Sequence, residues 1–298
     1  MIFYILLFIL GLAFGSFFNV LILRYDPEGS LFSFKRLSGR SHCPHCSKEL
    51  KPSELIPVLS FIFLGGRCSS CGERISFFYP FTEILTGLFF ALVPFLINNF
   101  YGVPESTFLT GGAPSWYYLL VFLWLIISLT FLLVALIDFK YYVVPDELNL
   151  ILFLVGIFVS FLIFFHPNSP APFRTSFFEN YILIFSPFEN VLWNHLLGSL
   201  IGGIFFLLLV VLSRGKGMGF GDVKLALASG MVLGWPDMGL AVAISFIAGG
   251  FFGALLLLLK TKGMKDKIPY APFFVLGVFL TMFLGHSIIF GYFKLFGF

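Results

Sequence analysis

A chain of 298 residues with 59% hydrophobic and only 11% charged side chains, and a mean hydropathy of +1.00, is not a soluble domain, which would carry roughly a quarter charged residues. The composition predicts an all-α polytopic membrane protein. The net charge of +3 is accounted for by where the basic residues fall along the chain, so it calls for no nucleic-acid partner.

Apolar runs long enough to cross a bilayer predict about eight helices, near 1–23, 77–97, 117–137, 147–165, 191–212, 223–235, 238–259 and 270–293, the sixth being short. The chain opens MIFYILLFIL without a basic flank, so the first run is expected to remain as a helix rather than to be a cleaved signal. No internal repeat is evident. Three parts are expected: the first helix (1–23), a cytoplasmic four-cysteine loop domain (24–76) and a transmembrane core (77–298). Of the 18 Lys and Arg residues, 16 fall on one side of an eight-helix arrangement, and only Arg174 and Lys294 fall on the other. The positive-inside rule then makes the crowded side cytoplasmic and puts both termini outside.

The 24–76 loop holds all four cysteines, as CPHC (Cys43, Cys46) and CSSC (Cys68, Cys71), with 21 residues between the pairs. Two C-x-x-C turns can converge on one tetrahedral ion, and four sulfurs suit Zn²⁺. A reducing cytoplasm favours this over disulfides. The ion is expected to be structural, because a loop of ~50 residues is too small to build its own core. His42 and His45 flank the cysteines, but four thiolates already complete a shell.

Four ionisable groups lie within or at the ends of apolar runs: Glu83, Asp138, Asp222 and Lys224. Pro145-Asp146-Glu147 reads as a helix start. Glu83, inside the second helix, is a buried structural acid or part of a ligand pocket, and Asn19 is expected to bridge helices. Asp138 and Asp222 end or begin helices on the basic side. Each is a helix-end residue or, together, they are a carboxylate dyad. Two close carboxylates in a low dielectric share one proton, leaving one to activate water and one to donate to a carbonyl. The glycines of RGKGMGFGDVK (214–224), with Gly219 and Gly221 next to the acid, would let a peptide strand approach and the loop take positive φ. They do not form a dinucleotide fingerprint, which needs a strand before and a helix after.

The motifs resemble those of the type IV prepilin leader peptidases, bacterial membrane aspartic proteases that are also N-methyltransferases. GSFFNVLILR (15–24), the two cysteine pairs and RISFFYPFTEILTG (74–87) resemble the amino-terminal half. LIDFKYYVVPDELN (136–149) and GMGFGDVK (217–224) resemble the peptidase half. The resemblance implies cleavage of the basic leader from prepilins and pseudopilins after a glycine, at the cytoplasmic face of the inner membrane. The new terminal amine is then methylated from S-adenosylmethionine. It implies Asp138 and Asp222 as the catalytic pair, with Gly219, Gly221 and Lys224 contacting substrate. Glu83 is the candidate for the methyl donor's site, and Cys43, Cys46, Cys68 and Cys71 hold zinc. No motif explains the outside loops 98–116 and 166–190.

Two other classes fit an acid-bearing membrane chain. An ion-coupled transporter would put its acids near the bilayer midplane and repeat its two halves. A non-enzymatic scaffold of a secretion system would tolerate Asp138→Asn and Asp222→Asn.

Overall fold

The computed structural model describes residues 2–33, 38–166, 176–177, 190–261, 263 and 266–297. Lys35, Arg36, Arg174, Lys262 and Lys265, all used above for orientation, lie outside the described residues, as does most of the 166–190 loop. Among the described residues the chain is helical, with two isolated β-bridges and no extended strand. It divides into two compact units, Met1–Phe95 and Leu96–Phe298.

Among the described residues, seven helices are long and apolar enough to cross a membrane. They are α1 (Ile2–Leu23), α3 (Phe78–Tyr101), α5 (Ser115–Tyr141), α6 (Asp146–Phe165), α7 (Val191–Leu212), α9 (Asp237–Leu258) and α10 (Ala271–Leu295). Two short helices, α2 (Leu59–Phe63) and α4 (Glu105–Leu109), lie in loops, and a 3₁₀ turn covers Pro52–Leu55. The remaining expected segment, the sixth, is α8 (Phe220–Leu233), only 14 residues long. At 1.5 Å per residue it spans about 21 Å, less than the ~30 Å hydrocarbon layer. It is apolar because its neighbours bury it: Val223, Leu225, Ala226, Ala228 and the whole run from Ser229 to Leu233 are buried.

In the first unit, α1 and α3 run antiparallel with their backbones touching. A Cβ on Gly11 would stand 2.7 Å from Gly87 Cα, and one on Gly15 would stand 2.6 Å from Glu83 Cα. One turn further on, Asn19 Nδ2 donates to the Tyr79 carbonyl at 3.2 Å. Small residues and one amide thus supply the close packing that lipid cannot drive.

The second unit uses the same device. Gly198 of α7 lies against the backbone of Gly230 and Gly234, and Gly277 of α10 lies against the Ala241 carbonyl of α9. Ser199 Oγ donates to the Leu227 carbonyl at 2.8 Å, and His195 Nδ1 is 2.9 Å from the Met231 carbonyl. These polar contacts fix the register of α7 on α8. Adding bulk at such a crossing forces the helices apart, at a cost of about 1–3 kcal/mol. Gly198→Val should therefore lower the melting temperature in detergent by several degrees. Gly250→Val, at a position where a Cβ would meet nothing within 4 Å, should leave it unchanged. Equal melting of the two variants would contradict this packing.

Candidate functional site

In the second unit, Asp138 lies in the last turn of α5, four residues before Tyr142 closes the helix in the left-handed region (φ 58). Tyr142 N–H donates to the Asp138 carbonyl at 2.8 Å. The Asp138 side chain is buried, 5% exposed, and its Oδ2 accepts the Ala271 N–H at 2.9 Å. Pro145 then caps α6, which begins at Asp146.

Asp222 comes from the other end of a helix. Gly219 is the N-cap of α8, and its N–H donates to Asp222 Oδ2 at 3.1 Å. The carboxylate sits in the first turn, where free N–H groups and the helix dipole favour negative charge.

Both acids line one cavity of about 490 Å³, together with Tyr142, Asp146, Lys224, Lys267, Tyr270 and the glycine loop. Asp222, outside the seven membrane-length helices, has its carboxyl pushed up to about 6, first by burial and then by the nearby charge of Asp138, against the pull of the Gly219 N–H. An acid that keeps its proton near neutrality beside another carboxylate has the electrostatics of a proton-sharing pair.

The glycines divide in purpose. Of those in 214–221, Gly215 takes a positive φ of 72. A Cβ on Gly221 would press on Val144 Cβ at 3.3 Å, which keeps α8 close to the loop carrying Asp146. Lys224 Nζ is paired with both oxygens of Asp146, at 2.8 and 2.7 Å, so its ammonium is engaged across 78 residues of chain. Tyr142, Lys267 and Tyr270 were not singled out from the sequence. The available signal was the polar and aromatic run KIPY just before α10, on the same basic side as the two acids.

In the first unit the four cysteines come together. One sulfur from each of Cys43, Cys46, Cys68 and Cys71 lies within 4.8 Å of the others. The two turns are copies of one another, 25 residues apart in the chain. Cys43 N–H donates to the Lys48 carbonyl at 2.9 Å, and Cys68 N–H to the Glu73 carbonyl at 2.8 Å. Ser47 (φ 55) and Gly72 (φ 72) follow the second cysteine of each pair in the left-handed region. The bridges His42–Glu49 and Arg67–Arg74 close the two turns. Sequence inspection showed no repeat, because only the cysteine spacing is shared. Lys48 Nζ of one turn donates to Ser69 Oγ of the other at 2.8 Å. Glu54 accepts from both residues, with Lys48 at 3.1 Å.

Backbone N–H groups of Cys71 and Ser70 pull the Cys68 thiol down to about 6. Two C-x-x-C turns that bring four sulfurs together fit a Zn²⁺ ion held by four thiolates. Cys43 and Cys71 Sγ stand 4.0 Å apart, about twice a disulfide bond length. Beside the cluster is a cavity of about 500 Å³ lined by Asn19, Arg24, Cys43, Arg74, Tyr79 and Glu83, among others. Glu83 is buried, and its Oε2 accepts the Val58 N–H at 2.7 Å.

Residues 9–97 match the bacterial peptidase A24 N-terminal domain, and residues 119–254 match the type IV leader peptidase family. A prepilin leader peptidase/N-methyltransferase of Bacillus subtilis is 32% identical, covering 97% of this chain and 98% of that protein. Proteins of the same description from Aeromonas salmonicida (28%, covering 95% of this chain and 91% of theirs) and Pseudomonas aeruginosa (26%, 97% and 93%) are also similar. No solved structure matches significantly. Two family domains in order, and a relative matched over nearly its whole length, place the chain in the type IV leader peptidase family as an integral membrane protease.

Proposed function

We propose that this enzyme cuts the basic leader from prepilins and pseudopilins after a glycine, at the cytoplasmic face of the inner membrane, with Asp138 and Asp222 as the catalytic pair. The observation that carries this reading is that the two acids, one from the end of α5 and one from the start of α8, line the same cavity. Their position at helix ends, away from the middle of the apolar spans, also speaks against an ion-coupled transporter.

In the proposed reaction one proton is shared by the pair. The ionised carboxylate takes a proton from water as the water oxygen attacks the scissile carbonyl carbon. The protonated carboxyl gives its proton to the carbonyl oxygen, forming a tetrahedral gem-diol. On collapse, the carbon–nitrogen bond breaks, a hydroxyl proton returns to one carboxylate, and the other acid protonates the departing amine. A substrate anchored by its own apolar helix would present its leader junction at this depth, so binding supplies proximity. Gly219 and Gly221 would leave room for the substrate strand, and Lys224, fixed by Asp146, would border it.

The second activity proposed is methylation of the new terminal amine. S-adenosylmethionine, when bound, supplies an electrophilic methyl group. Cys43, Cys46, Cys68 and Cys71 would hold a structural Zn²⁺ that keeps the loop folded. The cavity in the first unit, with its buried Glu83, fits a polar ligand of that size, and Glu83 would orient the group bound there.

Asp138→Asn and Asp222→Asn should each lower cleavage of a model prepilin in detergent by about 10⁴-fold or more, and the double variant should be scarcely worse, because a dyad acts as a unit. Asp146→Asn should do less. Substantial cleavage by folded, inserted Asp222→Asn would sink the mechanism.

The pH dependence has a definite sign. Asp222 holds its proton up to about 6, above its ordinary value, so the shared proton is present at lower pH and activity should fall as pH rises through that value. The folded state also favours the protonated form, so this group's contribution to stability is lost as pH rises through the same range. Asp222→Asn should therefore melt no lower than the parent above pH 6, while being inactive. A variant that loses stability and activity together would show a structural acid instead.

Purified protein should carry about one zinc per chain, and serine at any one of the four cysteines should lose most of it. Recovery of a metal-free disulfide-bonded loop would refute the zinc site. Glu83→Gln should reduce methylation of cleaved substrate, read by mass, while leaving cleavage intact. Unchanged methylation would remove Glu83 from that role.

A further inference from the structure

The loop between α1 and α3 lies outside the membrane-length helices, so lipid around those helices does not explain its exposed apolar side chains. Leu55, Ile56, Leu59, Ile62 and Phe63 are nevertheless all exposed, Ile62 at 63% and Phe63 at 83%. They belong to one short stretch, the 3₁₀ turn Pro52–Leu55 followed by α2. Leu55, Ser60, Phe61 and Leu64 of the same stretch line the Glu83 cavity, which leaves Ile56, Leu59, Ile62 and Phe63 on the uncovered side. The stretch therefore has one face toward the cavity and an uncovered apolar face.

Two contacts fix its depth. The Phe61 ring meets the Phe77 ring edge-on, with centroids 6.3 Å apart, and Phe77 immediately precedes α3. Glu83, in the second turn of α3, accepts the Val58 N–H at 2.7 Å. Along α3, Phe77, Phe81, Ile84, Leu88, Leu92 and Phe95 are exposed at steps of three and four, which is one helix face. On a helix of membrane-spanning length and composition such a face is available to lipid, and α2 packs against Phe77 at its end. The exposed Arg67 follows four residues after Phe63, and the exposed Arg74 stands three residues before Phe77. An apolar face beside cations is the composition of a segment lying in the headgroup layer.

We propose that residues 52–64 rest in the lipid interface, with Ile62 and Phe63 at the acyl boundary, and anchor the four-cysteine loop to the membrane surface. The occupant proposed for the apolar face is lipid because α2 packs through Phe61 against Phe77, at the end of the exposed apolar stripe of α3, and the exposed Arg67 follows it.

The test uses full-length protein in bilayers of phosphatidylcholine and phosphatidylglycerol. A photoreactive benzoylphenylalanine replaces Ile62, Phe63 or, as the comparison, the exposed Glu73. Lipid adducts at 62 and 63 should exceed those at 73 by at least about fivefold, as expected of residues buried in the interface. Equal adducts at the three positions, or crosslinks from 63 to a second copy of the chain or to a prepilin in place of lipid, would overturn the proposal. Phe63→Trp keeps an aromatic side chain and gives a second readout. Its added emission should be quenched by brominated lipid more than by aqueous iodide, and the opposite order would overturn the proposal even if the photoprobes disturbed folding.

Discussion

A carboxylate in the last turn of a long apolar helix is electrostatically misplaced. The carboxyl end of such a helix carries about half a negative charge of its own, and Asp138 is buried there among the final residues of α5. What makes the position tenable is the Ala271 N–H at 2.9 Å, offered by the first turn of α10. One helix's amino end compensates another's carboxyl end. For this to happen, α5 must finish and α10 must begin on the same side and at the same depth. The left-handed Tyr142 must also turn the chain before Pro145 restarts it. Asp222 needs no such help, because it occupies the amino end of its own helix and accepts the N–H of its own cap. Two acids of one type are thus held by opposite means, a difference of environment that lets two carboxyls take different roles.

Much of this was legible in the sequence, because lipid constrains sequence strongly. All eight apolar runs became helices, and in the seven of membrane length a span must satisfy its backbone internally. Four cysteines in two C-x-x-C pairs converged because tight turns bring their sulfurs to one side. The shortness of α8 showed only as a weak run, since burial by protein and burial by lipid demand the same apolar residues. The Lys224–Asp146 pair was not legible. Its partners are 78 residues apart, and each reads locally as something else, one a basic residue after a glycine loop and the other a helix start. The copied cysteine turns were hidden for a related reason. Their likeness lies in backbone hydrogen bonds and in left-handed residues after each pair, and serine in one copy stands where glycine stands in the other.

The same economy of contact explains the glycines that the sequence displays so plainly. Those inside helices do their work by absence: Gly11, Gly15 and Gly198 let backbones touch, and the resulting dispersion contacts stand in for a hydrophobic drive that lipid removes. Those of the 215–221 loop serve a different end. Gly215 supplies a turn that most residues resist, and Gly221 lets α8 approach Val144. Their joint effect is to bring Asp222 to the cavity that Asp138 already lines. The loop is expensive in backbone entropy, and the geometry of the acids is what that cost secures.

The loop in the first unit is governed by a different constraint. It is too short to hold a core, so its shape is imposed from outside it. At one end, α3 does this through Glu83. Val58, a β-branched residue, takes φ 61 and ψ −48, a region that such residues avoid. Leu59 N–H closes a turn over it onto the Pro57 carbonyl at 2.6 Å. A γ-turn of this hand is rare and strained, and it persists only where surroundings over-determine it. The buried carboxylate that accepts the Val58 N–H is that surrounding. At the other end the two copied turns are tied to each other through Lys48, Ser69 and Glu54. A loop held at both ends in this way can keep a polar cavity open beside the membrane without a core of its own.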